Sequence, residues 1–321
     1  MQSDKLRLFT RYLPLLLTCA LKFLSQRLQS TLHQLTYRPL HSSQNVLVIG
    51  GSFTGVWLAR RPTESLPSGY KVVLVEKNSH FNYTFNLPRY SVFRVHEQKA
   101  FISYQVTCVR DGEIELASGK CVPYAYLAIA TGATQSPPAK LLASQKGEAG
   151  AELRVLQAII EKAEKIAIVG GGAVGVQLSA DIKSFYRDKT VVLIHSRDQL
   201  LLNFGVRLHE FVVGKLGVLG VDIWLGERPA VPVDGNWESE ELTFKCGRSE
   251  MFDLVIPCTG QKSNSSIVAE FSPLSISTQT KRILVKPTLQ LEGNGKSNEG
   301  IARIFALGDV AETGGPRMAR A

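Results

Sequence analysis

Short runs of apolar residues recur along the chain, and each is followed by a glycine-rich turn or by polar residues. The clearest runs cover residues 46–49, 72–75, 166–169 and 191–194. Four consecutive apolar residues without polar alternation are typical of parallel strands that are buried on both faces of a sheet. The pattern therefore predicts an α/β fold with a doubly wound parallel sheet in each of two units.

The first glycine turn joins the run at 46–49 to a helix that Pro62 is expected to end. Gly50 permits a tight turn, and Gly55 lets the helix pack closely against the strand. Ser52 takes the position where a glycine usually admits a diphosphate, so the fit to the GxGxxG motif is incomplete. By itself this stretch fits a dinucleotide site and an ordinary turn equally well.

The second glycine turn fits the motif completely, with Gly170, Gly172 and Gly175 followed by a helix from Val174 onward. The amino end of such a helix presents free N–H groups and a partial positive charge to a diphosphate. One such motif is a weak signal, but two motifs in one chain predict two bound dinucleotides. FAD and NAD(P)H are the natural pair, because one accepts hydride from the other.

The residues at the ends of the next strands differ between the two motifs. Glu76 follows the run at 72–75, and an acid at this point accepts hydrogen bonds from ribose hydroxyls. The run at 191–194 instead leads into His195, Ser196 and Arg197, without an acid. An arginine there accommodates the 2′-phosphate of NADP, so NADPH is expected to be used at least as well as NADH. The alternative is that Arg197 is an ordinary surface residue.

Leucines recur at three- and four-residue steps near the amino end and predict an amphipathic helix. They are Leu13, Leu17, Leu21, Leu24, Leu28, Leu32 and Leu35. Residues 5–63 contain no acid, so most of the net charge of +9 lies there, and the folded body is not expected to bind nucleic acid. The densest apolar run, at 12–24, is short for a membrane span, and Pro14 is expected to interrupt its start.

Three roles fit this basic segment. A helix lying on a membrane surface would make the chain a peripheral membrane protein of the cytoplasm. An organellar presequence, which is also basic and poor in acids, would make it mitochondrial. The third role is a solvated extension without a function. We expect the membrane surface to be the partner of this segment.

Cysteine and histidine spacing excludes two kinds of chemistry. The cysteines at 19, 108, 121, 246 and 258 include no CxxC pair, so neither a disulfide framework nor a dithiol reductase is expected. The six histidines form no closely spaced ligand cluster, so no metal site is expected.

Four blocks in a fixed order resemble the pyridine nucleotide–disulfide reductase superfamily. The first turn is followed by a stretch that ends in Ala130-Thr131-Gly132, then by the second turn, by DLVIPCTG at 253–260 and by IFALGDVA at 304–311. The stretches HFNYTFNLPRYSV, GGGAVGVQLSADIKS and VVLIHSRDQLL resemble fungal members of the apoptosis-inducing-factor-like group, which includes ferroptosis suppressor protein.

This resemblance implies a domain order and a set of site residues. An FAD domain is split into residues 45–145 and 262–321, an NAD(P)H domain at 146–261 is inserted, and a basic segment occupies 1–44. The residues expected at FAD are Gly50, Ser52, Gly55, Glu76, Thr131, Gly132, Gly308 and Asp309, the last on the ribityl chain. Those expected at NAD(P)H are Gly170, Gly172, Gly175 and Arg197. Arg89 is placed beside the flavin as the catalytic residue, and a quinone is the implied electron acceptor.

The sequence departs from the group's pattern at four points. Ser52 replaces a glycine, Gln177 stands where a glutamate is usual, and Lys262 stands where a proline is usual. The chain stops at Ala321, where a helix should begin and a C-terminal domain should follow, so that domain is expected to be missing. These departures leave a second hypothesis, a degenerate or truncated nucleotide-binding flavoprotein with little turnover.

Overall fold

The protein is described by a computed structural model, which covers residues 2–38, 40, 42–103, 113–115, 121–231, 237–269, 271–293 and 298–314. Its helices are α1 (Gln2–Thr36), α2 (Phe53–Thr63), α3 (Leu87–Tyr90), α4 (Lys146–Lys162), α5 (Ala173–Phe185), α6 (Val206–Leu219), α7 (Ser266–Ala269) and α8 (Asn298–Ile301). Its strands are β1 (Gln44–Ile49), β2 (Tyr70–Val75), β3 (His80–Asn82), β4 (Phe101–Ser103), β5 (Glu113–Glu115), β6 (Cys121–Pro123), β7 (Tyr126–Ile129), β8 (Ala133–Thr134), β9 (Lys165–Val169), β10 (Thr190–His195), β11 (Val221–Leu225), β12 (Glu238–Thr243), β13 (Ser249–Pro257), β14 (Lys262–Ser263), β15 (Ile283–Leu284), β16 (Ile304–Ala306) and β17 (Ala311–Glu312).

The first large sheet contains β16, β7, β1 and β2 in that order, and all neighbouring strands run parallel. In β1, Leu47 and Val48 point to opposite faces, and both are fully buried. This two-sided burial explains why the strand reads as an uninterrupted apolar run. The strand β16 joins this sheet from much later in the chain, so the sheet is built from two separate stretches of sequence.

The second large sheet contains β11, β10, β9, β13 and β12 in that order. Its first four strands run parallel, but β12 pairs antiparallel with β13. This edge strand was not foreseen by the expectation of a parallel sheet, and it pairs antiparallel because the turn at residues 244–248 is too short for a parallel crossover. The α/β class with two dinucleotide-binding units is confirmed, whereas the exact domain boundaries at 145 and 261 stay predictions.

Two prolines differ from the expectations. The helix α1 continues through Pro14, and α2 includes Pro62 and ends one residue later, at Thr63. A proline removes one backbone donor, but its fixed φ is helical, so both helices absorb it. Gly308, Asp309 and Val310 form a 3₁₀ turn, and β17 follows it and pairs with β15. The helix that was expected to begin near Ala321 falls on residues 315–321, which lie outside the described residues.

The helix α1 faces the body with polar side chains. Gln26, Ser30 and His33 are half-buried, and Nε2 of His33 lies 2.6 Å from a backbone carbonyl oxygen in the loop after α2. The predicted leucines point the other way and are exposed, from 40 % for Leu13 to 79 % for Leu35. Among the described residues, no helix has the length and apolar character that crossing a membrane requires.

Lys189 ties the end of α4 to the second sheet. Its side chain is only 7 % exposed, and Nζ donates to the carbonyl oxygens of Glu161 at 2.7 Å and Ala163 at 2.6 Å. Glu161 belongs to the last turn of α4 and Ala163 directly follows the helix, so no helical N–H group reaches these carbonyls. The buried ammonium thereby fixes the point at which β9 and the second glycine turn begin.

We expect Lys189→Met to lower the free energy of unfolding by about 2 kcal/mol, because two buried carbonyls lose their charged donor. Lys162→Met, at an exposed position of the same helix end, is expected to change it by less than about 0.5 kcal/mol. Urea unfolding followed by far-UV circular dichroism measures both variants. Equal unfolding midpoints for the two would contradict this role of Lys189.

Candidate functional site

The first glycine turn lies at the carboxyl ends of β2, β1 and β7. Gly50 N–H donates to the Val75 carbonyl oxygen at 2.7 Å, and Ala130 N–H donates to that of Ile49 at 2.7 Å. Gly50 has a φ of +102°, and a Cβ placed on it would lie within 3.0 Å of the Ala130 carbonyl. A Cβ on Gly55 would overlap the Gly50 carbonyl in the same way. Both positions therefore require glycine.

The second glycine turn repeats these contacts at the ends of β10, β9 and β13. Gly170 N–H donates to the Ile194 carbonyl oxygen, and Cys258 N–H donates to that of Val169, both at 2.8 Å. Gly170 has a φ of +132°, and its Cβ would overlap the Cys258 carbonyl. A Cβ on Gly175 would overlap the Gly170 carbonyl. The two turns are thus geometrically equivalent, and each is shaped for one dinucleotide.

The residue before each helix has the same extended backbone. Ser52 precedes α2 with φ −89° and ψ −164°, and Gly172 precedes α5 with φ −81° and ψ −175°. Any L-residue adopts this conformation, so the serine at 52 imposes no strain. No atom lies within 4 Å of a Cβ placed on Gly172, so that face is open to a ligand. Neither first turn contains an acid, so both helix ends keep the positive potential that favours a diphosphate.

Glu76, directly after β2, closes the first turn. It is only 8 % exposed, and one carboxylate oxygen accepts the Gly51 N–H. The other oxygen accepts two hydrogen bonds from Asn78, at 2.9 Å from the backbone N–H and 2.7 Å from the side-chain amide. These donors fix the carboxylate at the end of β2, the place from which an acid can accept hydrogen bonds from a ribose. The role of Asn78 was not predicted, because it depends on the loop after β2 and not on a motif.

His195, the last residue of β10, takes the corresponding place in the second turn. Its Nδ1 accepts the Gly171 N–H at 3.1 Å. Its Nε2 is buried and has no hydrogen-bond partner among the described residues. Burial lowers the pKa of His195, and the positive charge of Arg197 lowers it further. The side chain of Arg197 is exposed, so it is free to approach a nucleotide bound at this turn.

Thr131 and Gly132 lie before the inserted second unit, and both are hydrogen-bonded to Asn264, which lies after it. Thr131 Oγ1 donates to the Asn264 carbonyl oxygen at 2.9 Å, and the Asn264 side-chain amide donates to the Thr131 carbonyl oxygen at 2.9 Å. Gly132 has a φ of +66°, and its carbonyl accepts the Asn264 N–H at 3.0 Å. Asn264 was not predicted, since it follows a block whose pattern carries no signal for it.

Gly308 and Asp309 lie beside the first turn of α2. Gly308 has a φ of +77°, and a Cβ on it would lie 2.8 Å from Oγ1 of Thr54. Burial lowers the pKa of Lys140, whereas the negative charges of Asp309 and Glu76 raise it. The first site therefore brings both predicted acids within electrostatic range of one lysine. Lys140 lies outside every motif, so the sequence gives no signal for it.

Arg89, the expected catalytic residue, lies at the contact between α3 and α5. Its guanidinium lies 4.8 Å from the ring centre of Phe93 and 3.9 Å from Oδ1 of Asp181. Burial raises the pKa of Asp181, and Arg89 opposes that shift. Nearby, the Gln177 side-chain amide donates to the Phe85 carbonyl oxygen at 3.4 Å. Arg89 thus lies where the helix of the second turn meets the first unit, and its catalytic role stays a prediction.

Four aromatic rings surround the start of α2. The ring centre of Phe53 lies 5.0 Å from that of Phe81, 5.3 Å from that of Tyr83 and 5.0 Å from that of Phe85. Phe85 is 53 % exposed and Tyr83 is 38 % exposed, so this aromatic cluster has an open side. This cluster was not predicted, because Phe53 is far from the other three residues along the chain. Such a surface beside a nucleotide turn can stack on a planar ligand.

The cysteine at the second turn is chemically passive. Burial raises the pKa of the Cys258 thiol to about 12. The thiol therefore stays protonated at neutral pH and is a poor nucleophile. Cys19 and Cys246 are exposed, and the side chains of Cys108 and Cys121 lie outside the described residues.

Comparisons with known proteins agree on one family and one fold. The sequence profile described as pyridine nucleotide-disulphide oxidoreductase matches residues 44–321. Fe-regulated protein 8 of Mycosarcoma maydis is 34 % identical, and the match covers 86 % of this chain and 76 % of that protein. Ferroptosis suppressor protein 1 of Homo sapiens is 28 % identical over the same shares of the two chains. A ferredoxin reductase from Rhodopseudomonas palustris has a similar fold, with a TM-score of 0.62 at 18 % identity over 84 % of this chain and 69 % of that chain.

The glycines of the second turn allow a matched test of the site. We expect Gly175→Ala to lower the melting temperature of the unliganded protein, because its Cβ would overlap the Gly170 carbonyl. Gly172→Ala is expected to leave that temperature unchanged, because its Cβ enters open space. The same methyl group should block a diphosphate and abolish the stabilisation that NADH gives the wild-type chain. Thermal melts with and without NADH measure this. If NADH raised the melting temperature of Gly172→Ala as much as that of the wild-type chain, the assignment of this turn to NAD(P)H would be contradicted.

Proposed function

The chain belongs to the pyridine nucleotide-disulphide oxidoreductase family, and on that premise we propose that it passes electrons from NAD(P)H through bound FAD to a quinone. The resemblance drawn from the sequence is confirmed, and so are the two cofactors, FAD and NAD(P)H. One observation carries the proposal: each large sheet has one glycine turn, and the two turns are equivalent. An enzyme that moves hydride between two dinucleotides needs one site for each.

We assign FAD to the first turn and NAD(P)H to the second. Gly50 and Ser52 would admit the FAD diphosphate, Glu76 would accept from the adenosine ribose, and Asp309 would meet the ribityl chain. When bound, the two cofactors supply the redox chemistry, with NAD(P)H as hydride donor and the flavin as carrier of electrons to the acceptor. The residues of this chain bind and orient these groups, and no side-chain nucleophile is needed.

A quinone suits the first site better than a disulfide does. Tyr83 and Phe85 present exposed rings beside the start of α2, and a planar quinone can stack on such rings. A disulfide acceptor would call for a redox pair of thiols, and the sequence contains no CxxC pair. Cys258, the cysteine at the second turn, stays protonated.

Anaerobic reduction of the full, FAD-loaded chain tests this function. We expect NADH or NADPH to bleach the flavin absorbance, and a short-chain ubiquinone to restore it faster than an aromatic disulfide does. Failure of both nucleotides to reduce the flavin would sink the hydride-transfer proposal and favour a nucleotide-binding flavoprotein with little turnover. Faster reoxidation by the disulfide would overturn the quinone.

Asp309 gives a prediction about FAD itself. We expect Asp309→Ala to reduce the FAD content of the purified chain by about tenfold, because hydrogen bonds between a carboxylate and the ribityl hydroxyls are lost. Asp222→Ala removes an exposed carboxylate from β11 and should leave the FAD content unchanged. The ratio of flavin absorbance to protein absorbance measures both. Full retention of FAD by Asp309→Ala would refute its assignment.

We further propose that α1 lies on a membrane surface with its leucines in the acyl region. Exposed leucines form one face of α1, and the opposite face contacts the body through His33. Lys22 and Arg27 on the same helix suit anionic headgroups. A quinone dissolved in that membrane would meet the enzyme at the surface. On this proposal the protein is cytoplasmic and binds the membrane peripherally. Recovery of a chain cleaved near residue 40 would instead favour a mitochondrial location.

Two double variants of α1 that add the same negative charge at different positions test whether the leucine face itself binds lipid. We expect Leu24→Asp with Leu28→Asp to abolish flotation with vesicles that contain phosphatidylserine, because both exposed leucines would enter the acyl region. Gln29→Asp with Gln34→Asp adds the same charge on exposed flanking positions and should weaken flotation only in part. Vesicle flotation of the full chains measures this. If both pairs float equally, the leucine face does not bind lipid.

A further inference from the structure

We propose that α6 of the second unit pairs antiparallel with α6 of a second copy of this chain. The outward side of this helix is apolar although it faces solvent, since Phe211 is 61 % exposed and Val218 is 87 % exposed. The loop directly before the helix adds Leu202 and Phe204, which are also exposed. An apolar surface that extends over several neighbouring residues is typical of an interaction site and not of ordinary protein surface.

The helix α6 has two apolar sides, and only one of them is covered by the body of the protein. Leu216 is buried in the core of the second unit, and Val212 and Val213 pack against that core. Residues three, four and seven positions apart share the other side. Its members are all exposed, namely Arg207, Glu210, Phe211, Gly214, Lys215 and Val218. Packing on the body therefore leaves a complete second face of the helix open.

Two glycines make the middle of this open face flat. Gly214 and Gly217 are exposed, and no atom lies within 4 Å of a Cβ placed on either of them. A glycine inside an exposed helix is less favourable than an alanine, so the body of the protein gains nothing from these two residues. A flat helix surface does allow the backbone of a second helix to approach closely. The projecting ring of Phe211 would fit such a surface on the other helix.

The charges on the open face identify a second copy as the occupant. In an antiparallel pair, a two-fold axis that passes between residues 212 and 213 brings Glu210 of one helix to the height of Lys215 of the other. The same axis brings Phe211 of one helix to the height of Gly214 of the other. A two-fold interface repeats each contact, so two ion pairs and two aromatic contacts with glycine result.

Both charged residues are available for this pairing. Neither Glu210 nor Lys215 forms an ion pair within the part of the chain that the structure describes. The ammonium of Lys215 lies 5.5 Å from the ring centre of Phe211, at the edge of the apolar face. A parallel pair would place each charge beside its own copy and would be repelled, so the charges also set the antiparallel direction.

The pairing helix is tied to the second glycine turn. Nδ1 of His209 on α6 accepts the Leu200 N–H at 3.0 Å, and the next residue, Leu201, donates its N–H to the Gly171 carbonyl oxygen at 2.9 Å. The interface would therefore join two second units and hold the loop beside each second turn. One pair of 14-residue helices buries less than the roughly 1,200–2,000 Å² of a standard interface, so we expect a dissociation constant of about 1–100 µM.

Sedimentation velocity of the full, FAD-loaded chain over a range of concentrations tests this pairing. Gly214→Leu fills the flat surface and should raise the dissociation constant of the dimer at least about tenfold. Its side chain enters open space in the single chain, so the melting temperature should not fall. Gly147→Leu makes the same exchange at an exposed glycine of α4 that also has open space around it, and should leave the dimer unchanged.

A charge exchange tests the partner and the direction together. Glu210→Lys should weaken the dimer, because only positive charges would then meet across the axis. Glu210→Lys combined with Lys215→Glu restores both ion pairs in the opposite sense and should return the dissociation constant to within about threefold of wild type. No restoration by the combined variant would overturn the antiparallel pairing.

The exposed leucines of α1 are the other surface through which copies could associate. Leu24→Asp with Leu28→Asp should leave the dimer intact, and its loss in that variant would show that α1 joins the copies and would overturn the proposal. A wild-type chain that stays monomeric at about 500 µM would also overturn it. If Gly214→Leu keeps the dimer but no longer floats with phosphatidylserine vesicles, the open face of α6 binds lipid and not a second copy.

Discussion

The carbonyl oxygens of Ala130 and Cys258 lie directly against the α-carbons of Gly50 and Gly170, where a β-carbon would not fit. Each contact brings the ends of three parallel strands and the start of one helix to a single point. The N–H groups of that helix, the open face above the turn and the side chain at the next strand end all take their positions from it. Ser52 shows how local the constraint is, because its extended backbone accepts a side chain without strain.

The two sites differ in the side chains that this shared backbone presents. Glu76 is oriented by Gly51 and Asn78, and His195 is oriented by Gly171. In both turns the backbone N–H group of the second glycine donates to the side chain at the next strand end. The same backbone arrangement therefore holds a carboxylate at the end of β2 and an imidazole at the end of β10.

The sequence predicts those parts of the fold that local sterics decide. Both glycine turns, their flanking strands and the acid at Glu76 follow from short patterns, because each pattern states a backbone requirement. The aromatic cluster at Phe53, the lysine at 140 and the link through Asn264 depend on chain segments that meet only in the folded protein, so no local pattern reveals them. The antiparallel strand β12 was missed because the parallel prediction was extended to an edge where a tight turn decides the direction.

The reciprocal hydrogen bonds between Thr131 and Asn264 close the first unit around an inserted one. The strand β7 precedes the whole second sheet in the chain, whereas its neighbour β16 follows it. On a ribosome, the second unit can therefore complete its sheet and its glycine turn while the first still lacks an edge strand and Asp309. This order of synthesis predicts that the second turn can hold a nucleotide before the first site is complete, so that capture of the flavin would be the later event in the maturation of this protein.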